Sequence, residues 1–332
     1  MTRLARTNPW SGIALAAGIF VTCLLLALAF GPASLSLGQI WRQATTGPVQ
    51  GDLSNAIFWQ IRLPRVLLAC LVGAELAVAG VILQDLFLNP LTDPYVTGVS
   101  SGAALGATVG IVLHLAQLPW ITVLALIGGF VTVGVVWMAA RRRGRIDVFV
   151  LLLAGVTISY LASAVVTVLM IRAGQDMHAI VYWLMGSFSG RGWTEVEIAL
   201  IAVPFMIVPL LFAKEMDILL QGEKRALELG VEVERTKRVL LVTAGLLTAI
   251  AVSVCGIIGF VGLVVPHIVR LLVGPGHCRL LPVSLLVGAS MLCVADLLSR
   301  TVIAPNEIPV GVVTTFVGAP LFVYLLRRGR KI

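Results

Sequence analysis

A carboxylate, a stripe of hydroxyls and three arginines are the residues here whose types and spacing could do chemistry. Glu75 lies in the middle of an apolar run, 57–84. A carboxyl group there is costly, so it marks a functional position by default: it carries a proton, or it pairs with a cation from another segment. Ser159, Ser163 and Thr167 recur every four residues, with Tyr160 alongside. On a helix that spacing makes one polar stripe, which either lines a water-filled path or bonds its own backbone and a neighbouring helix. Arg62 and Arg65, in Arg-Leu-Pro-Arg, and Arg300, four residues after Asp296, stand near the ends of apolar runs. They read as an outward cationic patch for acidic groups on a partner, or as interfacial anchors with Arg300 paired to Asp296.

Nothing accompanies these residues that would make or break bonds. There is no His-Glu-x-x-His, no Gly-x-Ser-x-Gly and no phosphate-loop lysine. His267 has no second histidine at metal-ligand spacing. Cys23, Cys70, Cys255, Cys278 and Cys293 form no Cys-x-x-Cys pair and read as small apolar residues. No catalytic residue and no metal site is expected, and the chain has no nucleotide-binding motif of its own.

Stepping from the residues to their carriers, the chain is 332 residues long, 59% hydrophobic and 12% charged, with a mean hydropathy of +1.02. Soluble domains carry about 25% charged residues. The composition therefore specifies an all-α polytopic membrane protein, residues 1–332 forming a single transmembrane domain. Spans are expected at 11–30, 57–84, 94–113, 117–140, 147–171, 195–213, 236–257, 259–273, 280–302 and 308–327. The eighth is short and contains Pro266, so it is not expected to cross as one regular helix. With the N-terminus inside, 18 of the 24 Lys and Arg fall on the inner side and 6 outside, the bias expected of a cytoplasmic face. Both termini are then cytoplasmic. The net charge of +8 reflects this bias and does not indicate nucleic acid as a partner.

The apolar pattern breaks at 214–238, which holds 12 of the 40 charged residues. This cytoplasmic loop is too charged to enter a bilayer. Within it, Gly222 to Gly230 reads as a short amphipathic helix stopped by a glycine. Ala226, Leu229 and Val231 form its apolar face, surrounded by Glu223, Lys224, Arg225 and Glu228. Such a helix is a docking element, or the loop merely joins two spans. Elsewhere, Gly98, Gly102, Gly106 and Gly110 make a bare stripe for close helix packing. Arg65-Val-Leu-Leu and Arg238-Val-Leu-Leu open the second and seventh spans, an echo that suggests two inverted halves.

An ordered set of short motifs resembles the FecCD-type permeases, the membrane subunits of type II ABC importers for iron–siderophore, haem and cobalamin. The set is Arg62-Leu-Pro-Arg65, Gly73-Ala with Gly80 and Gln84, Asn89-Pro-Leu with Pro94 and Gly98, and Gly222 through Gly230-Val231. It continues with Phe260-Val-Gly-Leu-Val-Val-Pro-His267 and Arg270, Leu280-Leu-Pro282, Ala295-Asp296 with Arg300, Glu307-Ile-Pro-Val-Gly311, and Gly318-Ala-Pro320. The match runs from about residue 60 to the end. Glu75, Asp85, Leu88 and Cys278 depart from the usual pattern.

The resemblance implies about ten transmembrane helices and a dimer, with itself or a sister permease, in the cytoplasmic (inner) membrane. It implies two cytoplasmic ATPase subunits, which hold the ATP and Mg, docked at 216–231. Gly222, Glu223, Arg225, Ala226, Leu229 and Gly230 then carry the coupling. It implies an extracytoplasmic binding protein whose carboxylates meet Arg62, Arg65 and Arg300. The path runs at the dimer axis past Ser159, Tyr160, Ser163 and Thr167, with a gate at Asp147, Val148 and Phe149. The rival reading is a secondary transporter driven by protons through Glu75.

Overall fold

The computed structural model describes residues 9–31, 36–49, 51–115, 119–142 and 145–328. Among the described residues the regular structure is helical apart from one short antiparallel strand pair, Arg141–Arg142 with Arg145–Ile146. In order come α1 (Pro9–Ala29), α2 (Leu37–Thr46), α3 (Leu53–Leu86), α4 (Val99–Val112), α5 (Trp120–Ala140), the hairpin Arg141–Ile146, α6 (Val148–Arg172) and α7 (Met177–Leu184). There follow α8 (Trp193–Leu211), α9 (Ala213–Leu219), α10 (Glu223–Glu228), α11 (Val233–Cys255), α12 (Val261–Val273), α13 (His277–Thr301) and α14 (Val310–Arg328). Among the described residues, seven helices are long and apolar enough to cross a membrane: α1, α3, α5, α6, α8, α11 and α13. The apolar helices α4, α12 and α14 are shorter. Each apolar run read from the sequence carries one of these ten helices. Of the inner-side cations counted above, Arg3, Arg6, Arg143, Arg330 and Lys331 lie outside the described residues, as do both chain ends.

α3 is the hub. It is the most deeply buried of the long helices, and α13, α11 and α12 pack around it. Its sequence permits this because small residues sit where backbones cross. A Cβ on Gly73 would overlap the backbone of Gly288 on α13, and one on Gly80 would overlap Gly262 on α12. In lipid, where apolar burial drives little helix association, such close approach is what holds a bundle together. The Gly102/Gly106 stripe does the same between α4 and α5. α1, α5 and α6 are outer helices whose large apolar side chains remain exposed.

α3 begins with Asp52, whose Oδ1 accepts from Ser54 N (2.9 Å) and Asn55 N (3.3 Å). It then widens into a π-helical turn, Ile57–Arg62, in which Leu63 N–H reaches back to Phe58 O. Pro64 explains the widening: it has no N–H to give to Gln60, so the ladder is already broken there.

α11 and α12 are joined by an unwound segment, 256–260. Unpaired backbone at this depth needs partners from the protein. Tyr95 supplies them, its hydroxyl donating to Ile258 O (2.8 Å) and accepting from Ile258 N (3.1 Å). Ser187 N adds a bond to Cys255 O (2.7 Å). Pro266 inside α12 leaves Gly262 O without its usual helical donor. Gln84 Nε2 donates to that oxygen (3.2 Å) and to Leu263 O (3.1 Å). The short eighth span of the sequence reading is thus half of a broken helix pair.

Candidate coupling and transport sites

On the face carrying loop 214–238, α10 sits on a small core of its own. Ala226, Val231 and Val233 are buried there, with Ile218 and Leu219 packed against them. The helix stops by bonding Val231 N to Ala226 O (2.9 Å) and Gly230 N to Leu227 O (3.0 Å). This double cap requires a left-handed residue, and Gly230 has φ +81°. The apolar face expected from the sequence therefore divides. Ala226 and Val231 point inward and are used up by the chain itself, whereas Leu229 points outward, 59% exposed, beside Leu227 at 61%. Glu223, Lys224, Arg225, Glu228 and Gly230 are exposed around them. Glu223 also pairs with the buried Lys237 of α11.

Near α10 lies a polar cluster, buried at its centre, that the sequence did not suggest. His277, the first residue of α13, is fully buried. Its Nδ1 lies 2.6 Å from Asp217 Oδ1 on α9, and its Nε2 meets Asp85 Oδ2 at the end of α3. Asp217 Oδ1 also accepts from His277 N (3.0 Å), which caps α13. The other oxygen of Asp85 accepts from Arg270 Nη2 on α12 (2.8 Å), and Arg270 Nη1 lies 3.4 Å from Gln84 Oε1. Five residues from four helices, α3, α9, α12 and α13, thus form one network. Asp85 stood out in the sequence as a departure from a pattern. Its partners lie about 130 to 190 positions away, beyond any local spacing rule.

On the opposite face the three arginines correct the sequence reading. Arg62, Arg65 and Arg300 are 3%, 7% and 3% exposed, so they do not form an outward patch. Arg65 is engaged on both sides, with Nη2 2.8 Å from Asp296 Oδ1 and Nη1 2.9 Å from Glu307 Oε1. Arg300 Nε lies 3.4 Å from Asp296 Oδ2, the pairing held open as the alternative. Arg62 Nη1 donates to Leu28 O (2.8 Å) and Ala29 O (3.2 Å), and Arg300 Nη2 donates to Ala27 O. The physical reason is the end of α1. Its last carbonyls have no helical donors, and cations at a helix C-terminus are favoured. The guanidinium groups are drawn inward to cap it.

Glu307, in the loop before α14, belongs to this cluster. Burial works against its charge, but the Arg65 guanidinium, Ser189 and Arg300 together outweigh it and hold its carboxyl below the usual carboxylate range. The charged form is thus favoured by folding. Its contribution is present above the unfolded value and is lost as pH falls through the lowered one. Acidification through about pH 4 is expected to lower the melting temperature in detergent, and Glu307→Gln is expected to flatten that part of the profile. An unchanged acid slope in Glu307→Gln would show that the contact contributes nothing.

The hydroxyl stripe on α6 also divides. Ser159 turns inward, bonding Gly155 O (2.8 Å) and receiving the Ser101 hydroxyl (3.1 Å). Tyr160, Ser163 and Thr167 are exposed, with Thr167 Oγ1 donating to Ser163 O (2.9 Å). At the start of α6, Asp147 Oδ1 accepts from Phe149 N (3.0 Å) and Val150 N (3.1 Å). Val148 is half-buried and the Phe149 ring is 67% exposed. Just before them, Ile146 N donates to Glu234 Oε2 (3.0 Å), tying the hairpin to the first turn of α11. Glu75 is fully buried in α3, and neither of its oxygens has a hydrogen-bond partner among the described residues. No group of metal-binding side chains occurs among the described residues.

Comparison with known proteins places these features in context. Residues 19–328 match the model of the FecCD transport family. The cobalamin import system permease protein BtuC of Halobacterium salinarum is 45% identical over 277 residues, 83% of this chain and 74% of the relative. The Fe(3+) dicitrate transport system permease protein FecD of Escherichia coli is 41% identical, covering 94% of this chain and 98% of its own. The hemin transport system permease protein HmuU of Yersinia pestis is 40% identical, over 94% and 95%. A solved metal-chelate type ABC transporter in an inward-facing conformation superposes with a TM-score of 0.85. It is 32% identical, over 95% of this chain and 98% of its own.

Proposed function

The chain belongs to the FecCD transport family, and from that premise we propose that it is the permease of an ATP-binding-cassette importer for a bulky metal chelate or cobalamin. One observation carries the reading: nearly the whole chain aligns, in sequence and in fold, with permeases named for cobalamin, ferric dicitrate and hemin. ATP with its Mg belongs to partner chains in this reading.

In this reading the bundle has ten crossings in two inverted halves and sits in a cytoplasmic membrane, both termini inside. Two ATPase subunits dock on the permease dimer, one on each copy's α10, on the outward side where Leu227 and Leu229 stand among Glu223, Lys224, Arg225 and Glu228. Gly222 and Gly230 set the ends of that helix. A second copy, or a sister permease, faces α6, and Tyr160, Ser163 and Thr167 line the path between them. Asp147, Val148 and Phe149 form the inner gate. The Ile146–Glu234 bond supports this, because it joins the gate to the helix that follows the coupling loop. An extracytoplasmic binding protein docks over the ends of α1, α3 and α13. There Arg62, Arg65 and Arg300 act from beneath the surface by fixing its shape. Binding protein and ATP each favour one of two bundle states, and alternation between them moves the cargo.

The test is uptake by proteoliposomes holding the permease, its ATPase and its binding protein. Radiolabelled cobalamin, haemin and ferric dicitrate are supplied in turn. At least one is expected to accumulate only with internal Mg-ATP. Glu75→Gln, which keeps the shape and removes the ionisable proton, is expected to retain ATP-driven uptake near the wild-type level. Accumulation that follows a proton gradient without ATP, and disappears in Glu75→Gln, would overturn the reading in favour of a proton-driven carrier.

A further inference from the structure

We propose that His277, held between Asp217 and Asp85, is a positioning residue that transmits movement of the ATPase-docking unit to the broken helix pair α11–α12. The proposal rests on the reading of α10 as the docking helix. It begins from how α9 and α10 are attached. Their apolar contact is a small core separate from the main one, made by Ala226, Val231, Val233, Ile218 and Leu219. Met216 on α9 is buried in the main core. The remaining attachments are polar: Glu223 to Lys237, and Asp217 to His277. A body attached through few links moves as a unit, and those links carry what it transmits.

From His277 the connection is continuous. Both ring nitrogens face carboxylate oxygens, Asp217 on one side and Asp85 on the other. The imidazolium form donates to both, and with Arg270 it balances two carboxylates with two cations. Asp85 passes the connection to Arg270 on α12. Gln84, next to Asp85, holds Gly262 O, the carbonyl in the first turn of α12 that Pro266 leaves without a helical donor, and Leu263 O beside it. That turn adjoins the unwound segment 256–260, which packs against α7 and α14. A Cβ on Gly256 would overlap Trp183 O, and one on Gly311 of α14 would come within 2.8 Å of Ile257 O. A displacement of α9 is therefore delivered, through charged hydrogen bonds that pass through the fully buried His277, to the unwound backbone between α11 and α12. A cavity of about 30 Å³ borders the network between Asp85, Met216, Leu219, Glu223, Lys237 and Leu240.

Spatial continuity alone does not demonstrate coupling, so the test reads coupling directly. The permease is purified with its ATPase, and hydrogen–deuterium exchange of residues 255–261 is compared without nucleotide and after trapping with ATP, Mg and vanadate. In wild type, trapping is expected to change exchange at this segment. In His277→Ala, and in Asp217→Asn, which removes the carboxylate charge facing the ring and keeps an oxygen able to accept from His277 N, the ATPase is expected to remain bound and active. The nucleotide-dependent change at 255–261 is expected to shrink by about two- to thirty-fold, the range of measured coupling between sites. The double variant is expected to lose no more than His277→Ala alone, because both act on one link. An Asp217→Asn complex that keeps the full nucleotide-dependent change would overturn the proposal, as would strictly additive losses. Failure of the wild-type chain to retain an ATPase at all would instead refute the docking role of α10.

Discussion

Replacing Leu229 with Asp is expected to strip the ATPase from the purified permease and to reduce ATP-driven uptake to background, leaving the permease folded. Leu229 is 59% exposed, and its inward neighbour Ala226 already fills the core beneath α10. The substitution therefore removes nothing from the chain's own packing. In the complex it forfeits about 1.5–3 kcal/mol of apolar burial and adds a carboxylate at a desolvated surface. Losing about 3 kcal/mol weakens an interface more than a hundredfold. The amount of ATPase recovered on affinity-purified permease reads this directly. Wild-type recovery would mean that docking does not use this side of α10.

The second large effect concerns the opposite face. Arg65→Ala is expected to destabilise the permease by about 3–5 kcal/mol, the usual result of removing one member of a buried ion pair. Asp296 is fully buried. Without Arg65 it keeps only the 3.4 Å approach of Arg300 Nε among the contacts described above. Thermal unfolding in detergent measures the loss. The double variant Arg65→Ala with Asp296→Ala is expected to be less destabilised than the sum of the singles, because removing both partners leaves less charge uncompensated. A melting temperature equal to wild type in Arg65→Ala would remove the cluster from any role in stability.

Much of the architecture was legible in the sequence because lipid imposes a simple rule: long apolar runs become helices. The break near Pro266 could also be foreseen, since proline removes a donor. What closes that break could not. Gln84 is 178 residues from Gly262, and Tyr95 is 163 from Ile258. The short helix 222–230 was legible from its glycines and charges, but its apolar face was read as one surface where the structure divides it. Amphipathic spacing assigns residues to a side of a helix and says nothing of which neighbour covers each one. The arginines failed for a related reason. A cation at the end of an apolar run looks the same whether it faces water or turns back to cap another helix, and the carbonyls of Leu28 and Ala29 leave no mark in the sequence.

The division of α10 into two faces separates two kinds of freedom. Ala226, Gly230, Val231 and Val233 are bound to the chain's own geometry, and a change in any of them is felt by the loop itself. Leu227, Lys224, Arg225 and Glu228 answer only to what arrives from outside. On the proposed docking role of α10, a permease built this way can exchange one motor for another by rewriting a few outward side chains, with the rest of the bundle untouched.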